Sequence, residues 1–137
     1  MKKMLKESLQ WIAAVVVPMI AAFAIYVIGY FLSMIGAAHM IGIEAKEYYE
    51  PVILAICNGP AGFVVPYLAY EIAPKGKMVT AIVLGTIGAT LQCVAIAMNF
   101  GQWWLNLSSL CNIVGTVVGI VKAVRGSDPV GGLKMVE

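Results

Sequence analysis

The chain has 137 residues, of which 61% are hydrophobic and 12% charged, and its net charge is +2. Soluble domains average about 25% charged residues, so this composition excludes an ordinary water-soluble fold. Residues 8–43, 51–70 and 78–121 contain no Asp, Glu, Lys or Arg.

A helix crosses the hydrocarbon core with roughly 20 apolar residues. The first stretch holds one crossing with length to spare, the second holds one, and the third holds two. The expected fold is all-α: an integral membrane four-helix bundle with short loops. Residues 1–125 form one transmembrane domain, with spans near 10–35, 51–71, 78–98 and 103–121. The polar segments between spans are too short to fold by themselves.

The basic residues are distributed unevenly. Lys2, Lys3 and Lys6 precede span one, Lys75 and Lys77 lie in the second turn, and Lys122, Arg125 and Lys134 follow span four. Only Lys46 falls on the opposite side, among Glu44, Glu47 and Glu50. The positive-inside rule therefore predicts that both termini are cytoplasmic. A signal-peptide core is about 7–15 residues long. The first apolar run is far longer, so an uncleaved first span is expected.

In chain order, Trp11 marks the inner interface of span one, and Pro18 is expected to kink it. Residues 36–43 are expected to run along the outer surface, with His39 among headgroups. Tyr48 and Tyr49 read as an outer aromatic belt, and Pro51 suits the first turn of span two. At the centre of that span lies Asn58-Gly59-Pro60-Ala61-Gly62, followed by Pro66. So many helix disruptors predict a kinked or broken second helix. Ala73-Pro74-Lys75-Gly76-Lys77 is a tight basic turn. This turn resembles those of small bacterial membrane proteins, a resemblance that implies a bacterial cytoplasmic membrane as the location. Asn99-Phe100-Gly101-Gln102 closes the next hairpin. Trp103 and Trp104 sit at the outer interface of span four. Residues 126–137, with Pro129, Gly131 and Gly132, are expected to form a partly disordered cytoplasmic tail.

Two constellations stand out. Small residues recur every four positions, as Ala81, Gly85, Ala89, Cys93 and Ala97 in span three and as Cys111, Gly115, Gly119 and Ala123 in span four. Lipid tails offer no hydrophobic drive between helices, so membrane helices associate where small residues let their backbones approach. The simplest expectation is packing of span three on span four; the alternative is a docking face for another subunit.

The second constellation is a polar layer. Asn58, Gln92 and Asn112 fall near the centres of three spans, each next to a cysteine, with Ser108 and Thr116 flanking Asn112. An unpaired amide in hydrocarbon is costly, so these side chains are expected to face inward. They would bond to one another or to backbone freed at Gly59-Pro60. A small midplane cavity beside an interrupted helix is the functional counterpart of that packing role.

The absences are informative too. No ionisable residue lies within the expected spans, which argues against a proton-coupled exporter. No Ser–His or Cys–His pair shares a depth, so an intramembrane protease is not indicated. The three cysteines form no CxxC pair, and the lone His39 cannot supply two axial ligands. No cofactor, metal or nucleic acid is implied. The leading expectation is a non-enzymatic accessory or assembly subunit, partnered by the lipid bilayer and by other membrane subunits or copies of itself. The alternative is a small oligomeric channel, holin-like pore or carrier for an uncharged solute, built on Asn58, Gly59, Pro60, Gln92 and Asn112.

Overall fold

The computed structural model describes residues 2–126; of the expected tail at 126–137, Gly126 ends the last helix and 127–137 lie outside the described residues. Four α-helices follow one another: α1 (Lys2–Ile41), α2 (Lys46–Ile72), α3 (Lys77–Met98) and α4 (Trp103–Gly126). A short 3-10 turn, Ile43–Ala45, joins α1 to α2. No strand occurs among the described residues. All four helices are long and apolar enough to cross a membrane, and the chain is a multi-pass, all-α membrane bundle. Large apolar side chains point outward over the whole surface. Phe23, Phe31, Leu32 and Ile35 on α1 are each 60–69% exposed, an arrangement suited to lipid and not to water.

Each connection turns on a glycine with positive φ: Gly42 at 98°, Gly76 at 58° and Gly101 at 98°. Side chains with a Cβ rarely adopt that conformation, so these positions set where each helix stops. At one end of the bundle, Lys75 in the α2–α3 turn pairs with Glu7 of α1 at 3.6 Å.

α2 is the hub. It packs against α1, α3 and α4, whereas α1 and α3 do not pack against each other over any length. The closest partnership is α2 with α4. The two helices run parallel, and their backbones nearly touch. A Cβ placed on Gly115 would overlap the carbonyl oxygen of Gly59, and one on Gly62 would overlap that of Asn112. A Cβ on Gly119 would lie 2.5 Å from the carbonyl oxygen of Phe63 and 2.8 Å from the Pro66 ring.

These contacts correct one expectation. Gly115 and Gly119 serve α2, not α3. The α3–α4 contact lies elsewhere on α4, where Ile120 and Thr116 cover Gly85. The small-residue stripe of α3 is used only in part. Ala81 and Gly85 are buried, Ala89 is half-buried, and Cys93 and Ala97 are exposed. A repeat of four on a 3.6-residue helix rotates about 40° per step, so the stripe leaves the bundle after two steps.

The second helix is also continuous. Pro51, Pro60 and Pro66 all lie inside α2, and no break occurs at Asn58–Gly62. α2 starts at Lys46, earlier than the expected 51, so Pro51 lies in its second turn. α1 likewise runs unbroken through residues 36–41 with Pro18 inside it. Its 40 residues span about 60 Å at 1.5 Å per residue, twice the roughly 30 Å hydrocarbon core. Prolines persist in membrane helices when neighbouring helices satisfy the carbonyls they free. Pro66 withholds the N–H that the Gly62 carbonyl would accept; Thr116 Oγ1 on α4 donates to that oxygen at 3.3 Å.

The glycine contacts differ enough to be tested. Gly115→Ala is expected to destabilise the bundle by about 1–3 kcal/mol, because the new methyl meets rigid backbone. At Gly88, where nothing lies within 4 Å of an added Cβ, alanine should be neutral or stabilising by up to about 1 kcal/mol. Reversible unfolding in mixed detergent micelles measures both.

Candidate functional site: a polar-floored cleft between α1 and α3

Three side chains on α4, one helical turn apart, reach across to α2. Ser108 Oγ donates to the Leu54 carbonyl at 3.3 Å, Asn112 Nδ2 to the Asn58 carbonyl at 3.1 Å, and Thr116 Oγ1 to the Gly62 carbonyl at 3.3 Å. Each donor lies 54 residues after its acceptor. A constant offset through steps of four is the signature of two parallel helices in register. The ladder is reinforced from the other side, since Asn58 Nδ2 donates to Ser108 Oγ. Thr116 Oγ1 also lies 2.9 Å from the Asn112 carbonyl of its own helix. Ser108 and Thr116 are buried.

The structure thus brings Asn58 and Asn112 together. Asn112 Nδ2 lies 3.5 Å from Asn58 Oδ1 as well as bonding the main chain. Its donor role fixes the amide orientation and leaves Asn112 Oδ1 without a protein partner among the described residues. Gln92 on α3 is half-buried at the same site and bonds neither of them; its amide makes no hydrogen bond to the protein among the described residues. Gly59 and Pro60 belong to the α2 seam, Gly59 facing the Cys111 carbonyl.

Gln92, Asn58 and Asn112 line one cleft of about 250 Å³, to which all four helices contribute. Gly62 and Thr116 complete its polar floor. Ala22, Phe23 and Tyr26 of α1 form one wall, and Leu84, Gly88, Leu91 and Gln92 of α3 form the other. Among the described residues no charged side chain lines it. Its depth follows from α4: Asn112 lies nine residues after Trp103 and ten before Lys122, or about 13–15 Å from each along the axis. That places the floor near the middle of the span.

The remaining polar groups bind the helix ends. Tyr30 on α1 donates to Glu50 Oε1 at 2.6 Å, and Lys46 lies 3.7 Å from Glu50 Oε2. Tyr49, Ile53 and Cys57 of α2 form a buried cluster beneath this pair, against Tyr26, Tyr30 and Met34 of α1. At the other end, Lys122 sits over the rings of Phe63 and Tyr67 at 6.0 and 5.7 Å, a favourable arrangement for a cation beside π faces. The cysteines differ in burial. Cys57 is buried, Cys111 half-buried and Cys93 exposed, and no group of three potential metal ligands occurs among the described residues.

The polar layer could be read from the sequence; the walls could not. Phe23, Tyr26 and Gly88 carry no sequence signal that separates them from lipid-facing or packing residues. The Tyr30–Glu50 pair was hidden because Glu50 precedes the expected start of span two. A helix that begins at Lys46 places it eight residues, about 12 Å, from Asn58. Comparison of the chain with protein-family models, curated proteins and solved structures finds no match in any of the three.

The inter-helix ladder has a measurable energy. Thr116→Val keeps the shape and removes the donor to Gly62, with an expected loss of about 0.6–1.7 kcal/mol. Thr90→Val is the control, because Thr90 Oγ1 is exposed and bonds only the Thr86 carbonyl of its own helix. It should change stability by less than about 0.5 kcal/mol.

Proposed function

We propose that this chain is a non-enzymatic protein of a bacterial cytoplasmic membrane that holds an uncharged, hydrogen-bonding molecule in the cleft between α1 and α3, as a small carrier or binding subunit. The observation that supports it is the pairing state of the floor. Gln92 and Asn112 Oδ1 present an amide donor, an amide acceptor and a second acceptor to one cavity, with no protein partner among the described residues. Both side chains are half-buried; a polar group that meets hydrocarbon without a partner costs free energy, and a ligand or water that supplies one recovers it. The lack of any charged lining residue selects against ions.

The accessory-subunit reading keeps one specific support. Cys93 and Ala97 remain exposed on the outer half of α3, a small-residue surface of the type that helices of other subunits or copies pack against. Its main support in the sequence is weaker, since Gly115 and Gly119 are consumed within the bundle by α2.

Native mass spectrometry of the protein released from its own membranes in mild detergent separates the readings. Wild type carrying a small uncharged molecule, lost in Gly88→Leu, supports the binding function. A stoichiometric protein partner or a defined homo-oligomer, with no small molecule retained, moves the accessory role ahead.

Both termini belong in the cytoplasm under this reading, because eight of nine basic residues then lie inside. With membrane-impermeant maleimide on intact cells, Phe100→Cys should label and Lys75→Cys should label only after permeabilisation. The reverse pattern inverts the topology.

A further inference from the structure

The cleft is partly open, and an opening between α1 and α3 would face the bilayer. Its two walls, α1 and α3, do not pack against each other over any length, whereas α2 and α4 form a closed floor behind them. The side chains at the opening are apolar and directed outward: Phe23 is 69% exposed and Leu91 60%. A molecule that reaches Gln92 by this route comes from the hydrocarbon layer, not from water at either end.

We propose that the ligand is an uncharged lipid alcohol that enters sideways between α1 and α3 and bonds through its hydroxyl to Gln92 and Asn112. This rests on the binding function proposed above and names the ligand class. The donor–acceptor inventory supports it. Asn112 Oδ1 needs a donor, and the Gln92 amide offers both a donor and an acceptor. A hydroxyl supplies one donor and accepting lone pairs in a single atom, the complement of what the two residues present to the cleft they both line. A ketone or ester supplies no donor for Asn112.

Volume and depth agree with that class. The cleft's 250 Å³ equals about eight waters of liquid volume at roughly 30 Å³ each. This holds a hydroxyl and the first carbons of a chain, not a whole lipid, so the tail passes out through the opening. The floor lies near the middle of the span, a depth that suits a single neutral hydroxyl on a long fatty or isoprenoid chain. A charged or zwitterionic headgroup would have to leave its interface to reach it.

The test is photolabelling of the full chain in nanodiscs of neutral phospholipid with a diazirine-bearing hexadecanol. The inference expects saturable labelling of peptides from α1 and α3, competed by unlabelled hexadecanol at least fivefold better than by its methyl ether. Gln92→Leu, which removes an amide with no protein bond, should reduce labelling at least fivefold. Gly88→Leu should abolish it by filling the cleft; an added Cβ there meets nothing within 4 Å, so the fold is retained.

Labelling spread over the lipid-facing surface, or equal competition by the ether, overturns the proposal. If the alcohol fails while a water-soluble neutral probe such as glycerol or urea binds wild type but not Gly88→Leu, the lateral lipid route falls and the binding function stands. If none of the probes distinguishes wild type from Gly88→Leu, both fall.

Discussion

Backbone-to-backbone contact between α2 and α4 is the constraint on which the rest of this bundle depends. In lipid there is no gain from hiding leucine from leucine, so cohesion comes from close packing and from hydrogen bonds between helices. Here one surface supplies both. Gly62, Gly115 and Gly119 remove the side chains that would hold the helices apart. The approach they allow brings Ser108, Asn112 and Thr116 within reach of main-chain carbonyls on α2. Neither feature would work alone. Without the glycines the donors would fall short, and without the donors the carbonyl freed by Pro66 would be buried unpaired.

The same surface explains why α2 tolerates its prolines. A proline in a helix removes a hydrogen bond and strains the preceding turn, and Pro60 and Pro66 lie close together in α2. Pro66 is buried against Gly119, and its ring takes part in the seam. The single Thr116 hydroxyl proton, shared between the Gly62 and Asn112 carbonyls, then replaces part of what Pro66 lacks. With α2 committed to α4 on one face and to α1 on another, α3 is held mainly near its first half, at Ala81 and Gly85. It does not pack along α1, and the cleft is the space between them.

Much of this could be read in the chain before its structure was known, and the limits have physical causes. Span number and approximate position follow from charge-free length, a signal with little competition in a membrane protein. Asn58 and Asn112 declared themselves because an amide in hydrocarbon has few places to go. The choice of partner helix was different. Ala81–Gly85 and Gly115–Gly119 look alike as patterns, and only the register of α2 shows that Gly59, Phe63 and Pro66, in and beside an apparent breaking point, are the surface that Gly115 and Gly119 meet. The continuity of α2 was masked for the same reason. Gly and Pro read locally as disruption, while the compensating donor sits 54 residues away. Gln92 reads as a member of the layer, but its lack of a protein bond among the described residues depends on how α3 packs, which no local pattern records.

That offset has a consequence for how the protein is made. Polypeptides emerge at about 5–20 residues per second, so a gap of 54 residues lasts about 3–11 s. For that interval α2 is already synthesised, with its prolines and Asn58, while the helix that satisfies its carbonyls does not yet exist. α1 is the neighbour available to it from the start of that interval, through the Tyr30–Glu50 bond and the Tyr49–Ile53–Cys57 cluster, and α3 follows before α4 is complete. The α1–α2 hairpin is therefore more than a wall of the finished cleft. It shelters the nascent second helix until α4 arrives.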